Sequence, residues 1–334
     1  MNNQYTIATL GSHSALQILK GAHDEGFKTL VISLNKQISF YKRFPFIDEI
    51  VGVNTFSEFP EIEKKLKDKK IIVIPHGSFI AYLGIEGNKK MTLSYFGNKK
   101  VLDFEFDRNK QGEWLKKSGI NTPEEYKNIE DVEFPVILKS YGAAGGKGYF
   151  LINNHRDLVE KIKLFKNNKF IIQQYIVGVP LYIHYFYSPL TKTLEILSMD
   201  RRYETNVDAL GRILFNVEPS YVVVGNSPLV LRESMLPEAY EMGEKVVKKS
   251  RELINSQGLF GPFCLETIIT PDQKFYVIEI SARIVAGTNL FIKGSSYSDL
   301  LYREPMSTGR RIAREIKIAI EENKLNLILN KRGY

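Results

Sequence analysis

Residues 136–152, VILKSYGAAGGKGYFLI, constrain the fold most strongly. Two apolar runs flank a bend in which Gly142, Ala143, Ala144, Gly145 and Gly146 carry at most a methyl group, and Gly148 follows Lys147. Such a stretch reads as strand, glycine-rich loop, strand. Glycines let the loop turn sharply and bring backbone N–H groups close to an anion. Lys139 ends the first apolar run, and Lys147 sits inside the loop. The pair suits a nucleotide triphosphate under a lid. The Walker pattern is excluded, because no Gly-Lys-Ser/Thr ending is present and a strand follows, not a helix; a Rossmann fingerprint fails for the same reason. Taken alone, the stretch favours the phosphate lid, with a plain β-hairpin carrying glycines in its turn as the alternative.

A second constellation lies near the C-terminus. Residues 261–267 and 275–283 are strand-like runs separated by Thr270, Pro271, Asp272 and Gln273, a turn signal that predicts an antiparallel hairpin. Each run carries one acidic residue, Glu266 and Glu279. Two carboxylates on adjacent strands repel unless a cation separates them. Mg²⁺ accepts one or two carboxylates together with phosphate oxygens, so the pair suits a metal–nucleotide site. The bland alternative places one glutamate on the outer, solvated face. Arg283, four residues after Glu279, is positioned to neutralise a carboxylate or a phosphoryl oxygen.

The first hundred residues alternate strand and helix. Strands are expected at 5–10, 28–33, 50–53 and 71–75. Helices are expected at 14–25, closed by Gly26, and at 57–68. That order implies a parallel sheet with helices on its faces and a ligand site beyond the carboxyl ends of the strands. Two such ends are polar: Gly11 to Ser14, and His76 to Ser78. The default reading of Ser12 or Ser14 is a helix cap. Further on, helices are expected at 108–119 and 155–166. A strand from Phe170 breaks at Gly178, and a long alternating strand to Tyr187 pairs with 194–199. The strand end at Gln173 to Ile176 is able to offer its backbone to an adenine edge, or is simply core.

Length and composition suit an enzyme. A chain of 334 residues, 43% hydrophobic and 25% charged, has material for two or three compact units. No run approaches the ~18–20 apolar residues of a membrane span, and no signal segment opens the chain, so a cytoplasmic protein is expected. The single cysteine, Cys264, rules out an internal disulfide and reads as a core residue. The net charge of +8 is spread over lysine clusters interleaved with acids, which reads as solvated surface and not as a nucleic-acid interface.

The order of these motifs resembles an ATP-grasp enzyme from about residue 100 onward. The N-terminal sheet resembles the domain that precedes ATP-grasp in purine and carboxylate–amine ligases. More narrowly, the chain resembles the PurP family of archaeal formate- and ATP-dependent FAICAR synthetases over nearly its whole length. The residues that carry this are Ala8 to Leu16, Gly142 to Phe150, Met199 to Glu204 with Asn206 to Ala209, Val224 to Asn226, Gly261 to Glu266, Glu279 to Asn289 and Ser307 to Ala313. The expected fold class is therefore mixed α/β and α+β. A parallel α/β unit over 1–98 precedes an ATP-grasp unit over 99–334, with a lid at about 122–176.

The resemblance implies ATP- and formate-dependent formylation of AICAR (5-aminoimidazole-4-carboxamide ribonucleotide) through formyl phosphate. It assigns Lys139, Gly145, Gly146, Lys147, Gln174, Tyr175, Ile176 and Glu204 to ATP. Glu266 and Glu279 go to Mg²⁺, with Mn²⁺ as a substitute, and His13, Ser78 and Asn226 to AICAR. Arg283 and Lys147 take the catalytic roles. Arg201 and Arg202 read equally as structural ion-pair partners. Ser281 stands where ATP-grasp enzymes usually carry an asparagine metal ligand. Small-molecule substrates, self-association into a homo-oligomer, and neither nucleic acid nor membrane are expected. Two alternatives stay open: a related ATP-grasp ligase for another acid and amine, and a nucleotide-binding protein without turnover.

Overall fold

The structure, a computed structural model, describes residues 5–140, 149–165, 169–204 and 220–330. Its first sheet is built from β1 (Thr6–Leu10), β2 (Lys28–Leu34), β3 (Glu49–Val53), β4 (Ile71–Val73) and β5 (Ser94–Phe96). These strands run parallel in the order β5-β4-β1-β2-β3, and the C-terminal strand Leu329–Asn330 adds antiparallel to β5. The interior of the sheet is mostly apolar side chain, with Thr9, Thr29 and Ser33 buried among it, as expected where helices cover both faces. The helix Ala15–Asp24 packs through Ile18, Leu19 and Ala22, and Gly26 at φ 85° turns the chain out of it. The chain runs β1 to β3 on one side of β1 and places β4 and β5 on the other. The strand order thus reverses between β1 and β4, whose carboxyl ends carry the His13 and His76 turns.

A second sheet contains β6 (Glu125–Tyr126), β7 (Val136–Ser140), β8 (Tyr149–Ile152) and β9 (Phe170–Gln174), all antiparallel in the order β6-β9-β7-β8. Alternation divides its faces. Val136, Leu138, Ile152 and Ile172 form a small core with Leu158 of the helix His155–Ile162. Ile137, Lys139 and Gln173 point the other way.

The third sheet comprises β10 (Val179–Ser188), β11 (Thr193–Glu204), β12 (Val223–Pro228), β13 (Gly261–Ile269) and β14 (Phe275–Ser281), antiparallel in the order β12-β11-β10-β13-β14. One face is apolar. Tyr185 and Phe263 stack at 4.8 Å, and Tyr185 donates its hydroxyl to Ala239 O of the helix Leu236–Leu253. The other face is polar. Tyr182 lies opposite both Asp200 and Glu266, Arg202 opposite Asn226, and Glu266 opposite Glu279. The Thr270 turn closes the β13–β14 hairpin as expected, with Gln273 N bonded to Thr270 O.

The two ends of the chain meet. The helix Thr308–Glu321 crosses Ala15–Asp24 so closely that a Cβ on Gly21 would lie 2.2 Å from Arg310 N, and one on Gly309 would lie 2.2 Å from Gln17 O. Buried Glu25 receives Arg310 and Arg314 at 2.7 Å. A parallel bridge between His76 and Ile284 fastens the β4 turn to the segment after β14.

Several boundaries move. The helix expected at 57–68 is Phe59–Leu66, preceded by a turn of 3-10 helix that Thr55 and Glu58 cap reciprocally. The helix expected at 155–166 ends at Ile162 and tightens into 3-10 geometry. β4 stops at Val73, beyond which Ile74 N donates to Ala8 O and Ile74 O accepts from the Thr9 hydroxyl. The helices Ser78–Lys90 and Lys99–Phe106, β5 and the C-terminal strand carried too little periodic signal to be anticipated. Gly84 at φ 70° breaks the first of these helices internally.

Candidate functional site

A cavity of about 470 Å³ opens where the three sheets converge. The second sheet supplies one wall. Lys139 Nζ donates to Gln173 Oε1 at 2.6 Å and lies 5.3 Å from the Tyr149 ring. Burial pulls its pKa down to about 8, with the Glu279 charge opposing. Gln174, Tyr175 and Ile176 line the cavity as the chain leaves β9, and Glu204 lines it at the end of β11. Arg108 was not anticipated. Asp107 caps the helix Arg108–Lys117 through Asn109 and Lys110, which sets Arg108 on its first turn. From there Arg108 donates to Tyr149 at 3.0 Å and lies 3.5 Å from Glu279.

The polar face of the third sheet supplies the floor. Glu266 and Glu279 both line the cavity, so neither takes the solvated position. Arg202 grips Glu266 through two nitrogens at 2.9 and 3.2 Å and stacks 3.8 Å from the Tyr182 ring centre, an ion pair as one of its two readings had it. The Ser281 hydroxyl donates to Glu266 at 3.4 Å. Burial, and then the Glu266 charge, push the Glu279 pKa up. Among the described residues no group of three or more His, Cys, Asp or Glu side chains gathers around one point. Glu266 and Glu279 are the residues that would hold Mg²⁺, a hard cation that takes one or two protein carboxylates.

The turns of the first sheet close the third side. His13, at φ 49°, stacks on His76 at 5.9 Å. A Cβ on Gly77 would lie 3.1 Å from Arg283 Cζ and 3.2 Å from His13 Nε2, so the N-terminal turn and Arg283 abut through a glycine. His76 Nε2 bonds Leu10 O at 2.9 Å and its Nδ1 accepts from Ser78 N at 3.2 Å, which fixes a neutral tautomer. Burial, then the Arg283 and Arg202 charges, lower the His13 pKa to about 4. Arg283 is anchored from behind by Glu105 at 2.9 Å, whose second oxygen accepts from Ala282 N. Asn226 donates to Asp200 at 2.6 Å.

The structure thus brings His13, Lys139, Gln174, Tyr175, Ile176, Glu204, Asn226, Glu266, Glu279 and Arg283 to one cavity. Ser78 stands one residue behind the lining Gly77, 3.2 Å from the Ser12 hydroxyl. Ser14 occupies the N-cap position but makes no side-chain cap, because its hydroxyl pairs with His13 Nδ1. Lys147, Gly145 and Gly146 lie outside the described residues, as do Asn206 to Ala209. Cys264 is a buried core residue, as expected, and burial raises its pKa. Arg108 and Glu105 were missed. An Asp-Arg step opening the helix Arg108–Lys117 was the available signal for the first, and nothing local marked the second.

Residues 154–330 match a family model described as a domain of unknown function, DUF1297, and residues 7–126 match a protein of unknown function, DUF1246. A curated protein of Pyrococcus horikoshii named 5-formaminoimidazole-4-carboxamide-1-(beta)-D-ribofuranosyl 5'-monophosphate synthetase is 52% identical, over 97% of this chain and 99% of that one. Its namesake in Saccharolobus solfataricus is 49% identical over the same shares. The crystal structure of an IMP biosynthesis protein PurP from Thermococcus kodakaraensis superposes with a TM-score of 0.79 at 35% identity, covering 97% of this chain and all of that one. The ADP complex of an N5-carboxyaminoimidazole ribonucleotide synthetase superposes with a TM-score of 0.71 at 14% identity, over the whole of this chain and 80% of that one, and shows the ATP-grasp fold alone.

Proposed function

The chain belongs to the family of 5-formaminoimidazole-4-carboxamide ribonucleotide synthetases, and we propose that it is an ADP-forming ligase joining formate to the amine of AICAR. The observation that carries this reading is the shared cavity. It sets a buried lysine and an opposed glutamate pair against the His13 turn, with Arg283 at the junction.

The chemistry explains why such a site needs ATP. The AICAR amine sits on an electron-poor imidazole and is a weak nucleophile. Formate is a poor acyl donor, because oxide would have to leave. Transfer of the γ-phosphoryl group to a formate oxygen gives formyl phosphate and ADP. The amine then attacks the formyl carbon, the C–O bond to phosphate breaks, and the amine loses a proton. Phosphoryl transfer depends mainly on positioning and charge neutralisation. Lys139 and Arg108 supply cations for the phosphates, and Gln174 to Ile176 offer their backbone to the adenine edge. Glu204 takes a further nucleotide contact. Glu266 and Glu279 would hold Mg²⁺, or Mn²⁺ in its place, and the ion would neutralise phosphate charge. Arg283 stabilises the transferred phosphoryl group or formate. His13, Ser78 and Asn226 hold AICAR. The assignment of Lys147, Gly145 and Gly146 to the ATP phosphates rests on the sequence alone.

This reading treats residues 1–98 as the substrate-side unit and 99–334 as the ATP-grasp unit, with 122–176 as its lid. It carries a cytoplasmic location and self-association, the latter open to sedimentation analysis. Among the described residues no helix is long and apolar enough to cross a membrane. The test is ADP release with ATP, AICAR and formate, omitting each in turn. Sustained release is expected only when all three are present. Release that another acid supports and formate does not would overturn the reading.

A further inference from the structure

Behind Asn226 runs a buried hydrogen-bond chain that the ATP chemistry does not use. Asn226 Nδ2 donates to Asp200 Oδ2 over 2.6 Å, and Asp200 Oδ1 lies 2.5 Å from His184 Nε2. Asp200 is 0% exposed and His184 1%. His184 Nδ1 has no hydrogen-bond partner among the described residues. The imidazole proton therefore belongs on Nε2, facing the carboxylate. Gly287 closes the remaining side, since a Cβ there would come within 2.3 Å of Asp200 Oδ1. Asp200 is thus held by a donor and walled by backbone, and it has no room to swing away.

The consequence falls on Asn226, which lines the cavity. A carboxylate only accepts hydrogen bonds. The Asn226 amide must then turn its NH₂ group toward Asp200, which leaves its carbonyl oxygen as the group free to meet a ligand. We propose that Asp200, held by His184, is a positioning residue that locks the Asn226 amide as an acceptor and so selects the carboxamide N–H of the substrate over a carboxylate at the same place. A carboxylate ligand would set lone pairs against the Asn226 carbonyl and bring a second negative charge toward Asp200. The proposal rests on the reading that Asn226 touches AICAR.

Calorimetric titration of the full chain tests it, using AICAR and its analogue with a carboxylate in place of the carboxamide. The wild type should prefer AICAR by at least about tenfold, the scale of one satisfied against one unsatisfied buried polar contact. In Asp200→Asn, His184 still donates to the amide oxygen, so the new NH₂ group faces Asn226 and lets that amide flip. The preference should fall about tenfold or more, with ATP affinity unchanged. In an Asn226→Ala background, Asp200→Asn should have no further effect. An Asp200→Asn protein that keeps the preference, or effects that simply add, overturns the proposal alone. An Asn226→Ala protein with undiminished AICAR affinity removes the Asn226 assignment and this proposal with it. Should Asp200→Asn fail to fold, Asp200→Leu, nearly the same shape but without an acceptor, leaves the Asn226 amide free to turn and should also lose the preference; a folded Asp200→Leu protein that keeps it overturns the proposal.

Discussion

Glu266 and Glu279 stand directly opposite each other across β13 and β14, each with an arginine from a different element beside it: Arg202 from β11 and Arg108 from a helix. The arginines limit a repulsion that would otherwise favour protonation, yet Glu279 is still pushed up by burial and by Glu266. Glu279→Gln removes one of the two charges. The fold should persist, because the change relieves a buried like-charge contact. Turnover should fall by about tenfold to a hundredfold, the scale of losing one charge-assisted contact, here that of the carboxylate to the ion it would hold. ATP binding, followed by titration at several Mg²⁺ concentrations, should become less dependent on the ion. Full activity in this variant would contradict the metal assignment.

Lys139 gives the site a pH dependence of defined sign. Burial lowers its pKa to about 8, so the side chain carries its charge below that value and loses it above. ATP affinity should therefore weaken as pH rises from 7 to 9, well below the range where an exposed lysine titrates. In Lys139→Arg the cation persists across that range, and the weakening should largely disappear. Titration of ATP at each pH checks both.

His13 and Lys139 line the same cavity from different sheets and should separate cleanly in binding. Loss of a hydrogen bond to a charged group costs about 1.5–3 kcal/mol, or roughly tenfold to a hundredfold in affinity. His13→Ala should weaken AICAR by that factor and leave ATP nearly unchanged, and Lys139→Ala should do the reverse. Isothermal titration with each ligand alone measures both. Lowered ATP affinity with spared AICAR in His13→Ala would reverse the assignment of the two halves.

Much of this site was legible before any coordinates because its residues sit on strands with strong local signals. Alternation and the Thr270–Gln273 turn were enough to oppose Glu266 and Glu279, and the apolar run before Lys139 was enough to fix its base. Glu105 was not legible. Its role comes from a contact with Ala282 across 177 positions, and its own helix looks like any short amphipathic segment. The pairing of Asp200 with His184 was hidden for a related reason: on adjacent strands nothing marks the two as partners until the register and the Gly287 wall bring them together. The helix Ser78–Lys90 escaped notice because Gly84 and Gly87 break its pattern, and β5 because it is only 3 residues long.

Gly21 and Gly309 show that the C-terminal helix is part of the first sheet's packing and not an appendage. Neither position has room for a methyl group against the facing backbone. Gly21→Ala should force the two helices apart and weaken the Glu25 contacts to Arg310 and Arg314, destabilising the protein by about 1–3 kcal/mol. A lower midpoint in urea unfolding would register this, with Gly26→Ala unsuitable as a control because Gly26 itself needs positive φ.

On this reading the cavity activates formate by phosphorylation before the AICAR amine attacks. Turnover with ¹⁸O-labelled formate tests that order. If formyl phosphate forms, one formate oxygen must leave with the phosphate, so the inorganic phosphate released should carry one ¹⁸O per turnover. Released phosphate free of ¹⁸O, with formylated product still accumulating, would contradict the acyl-phosphate route.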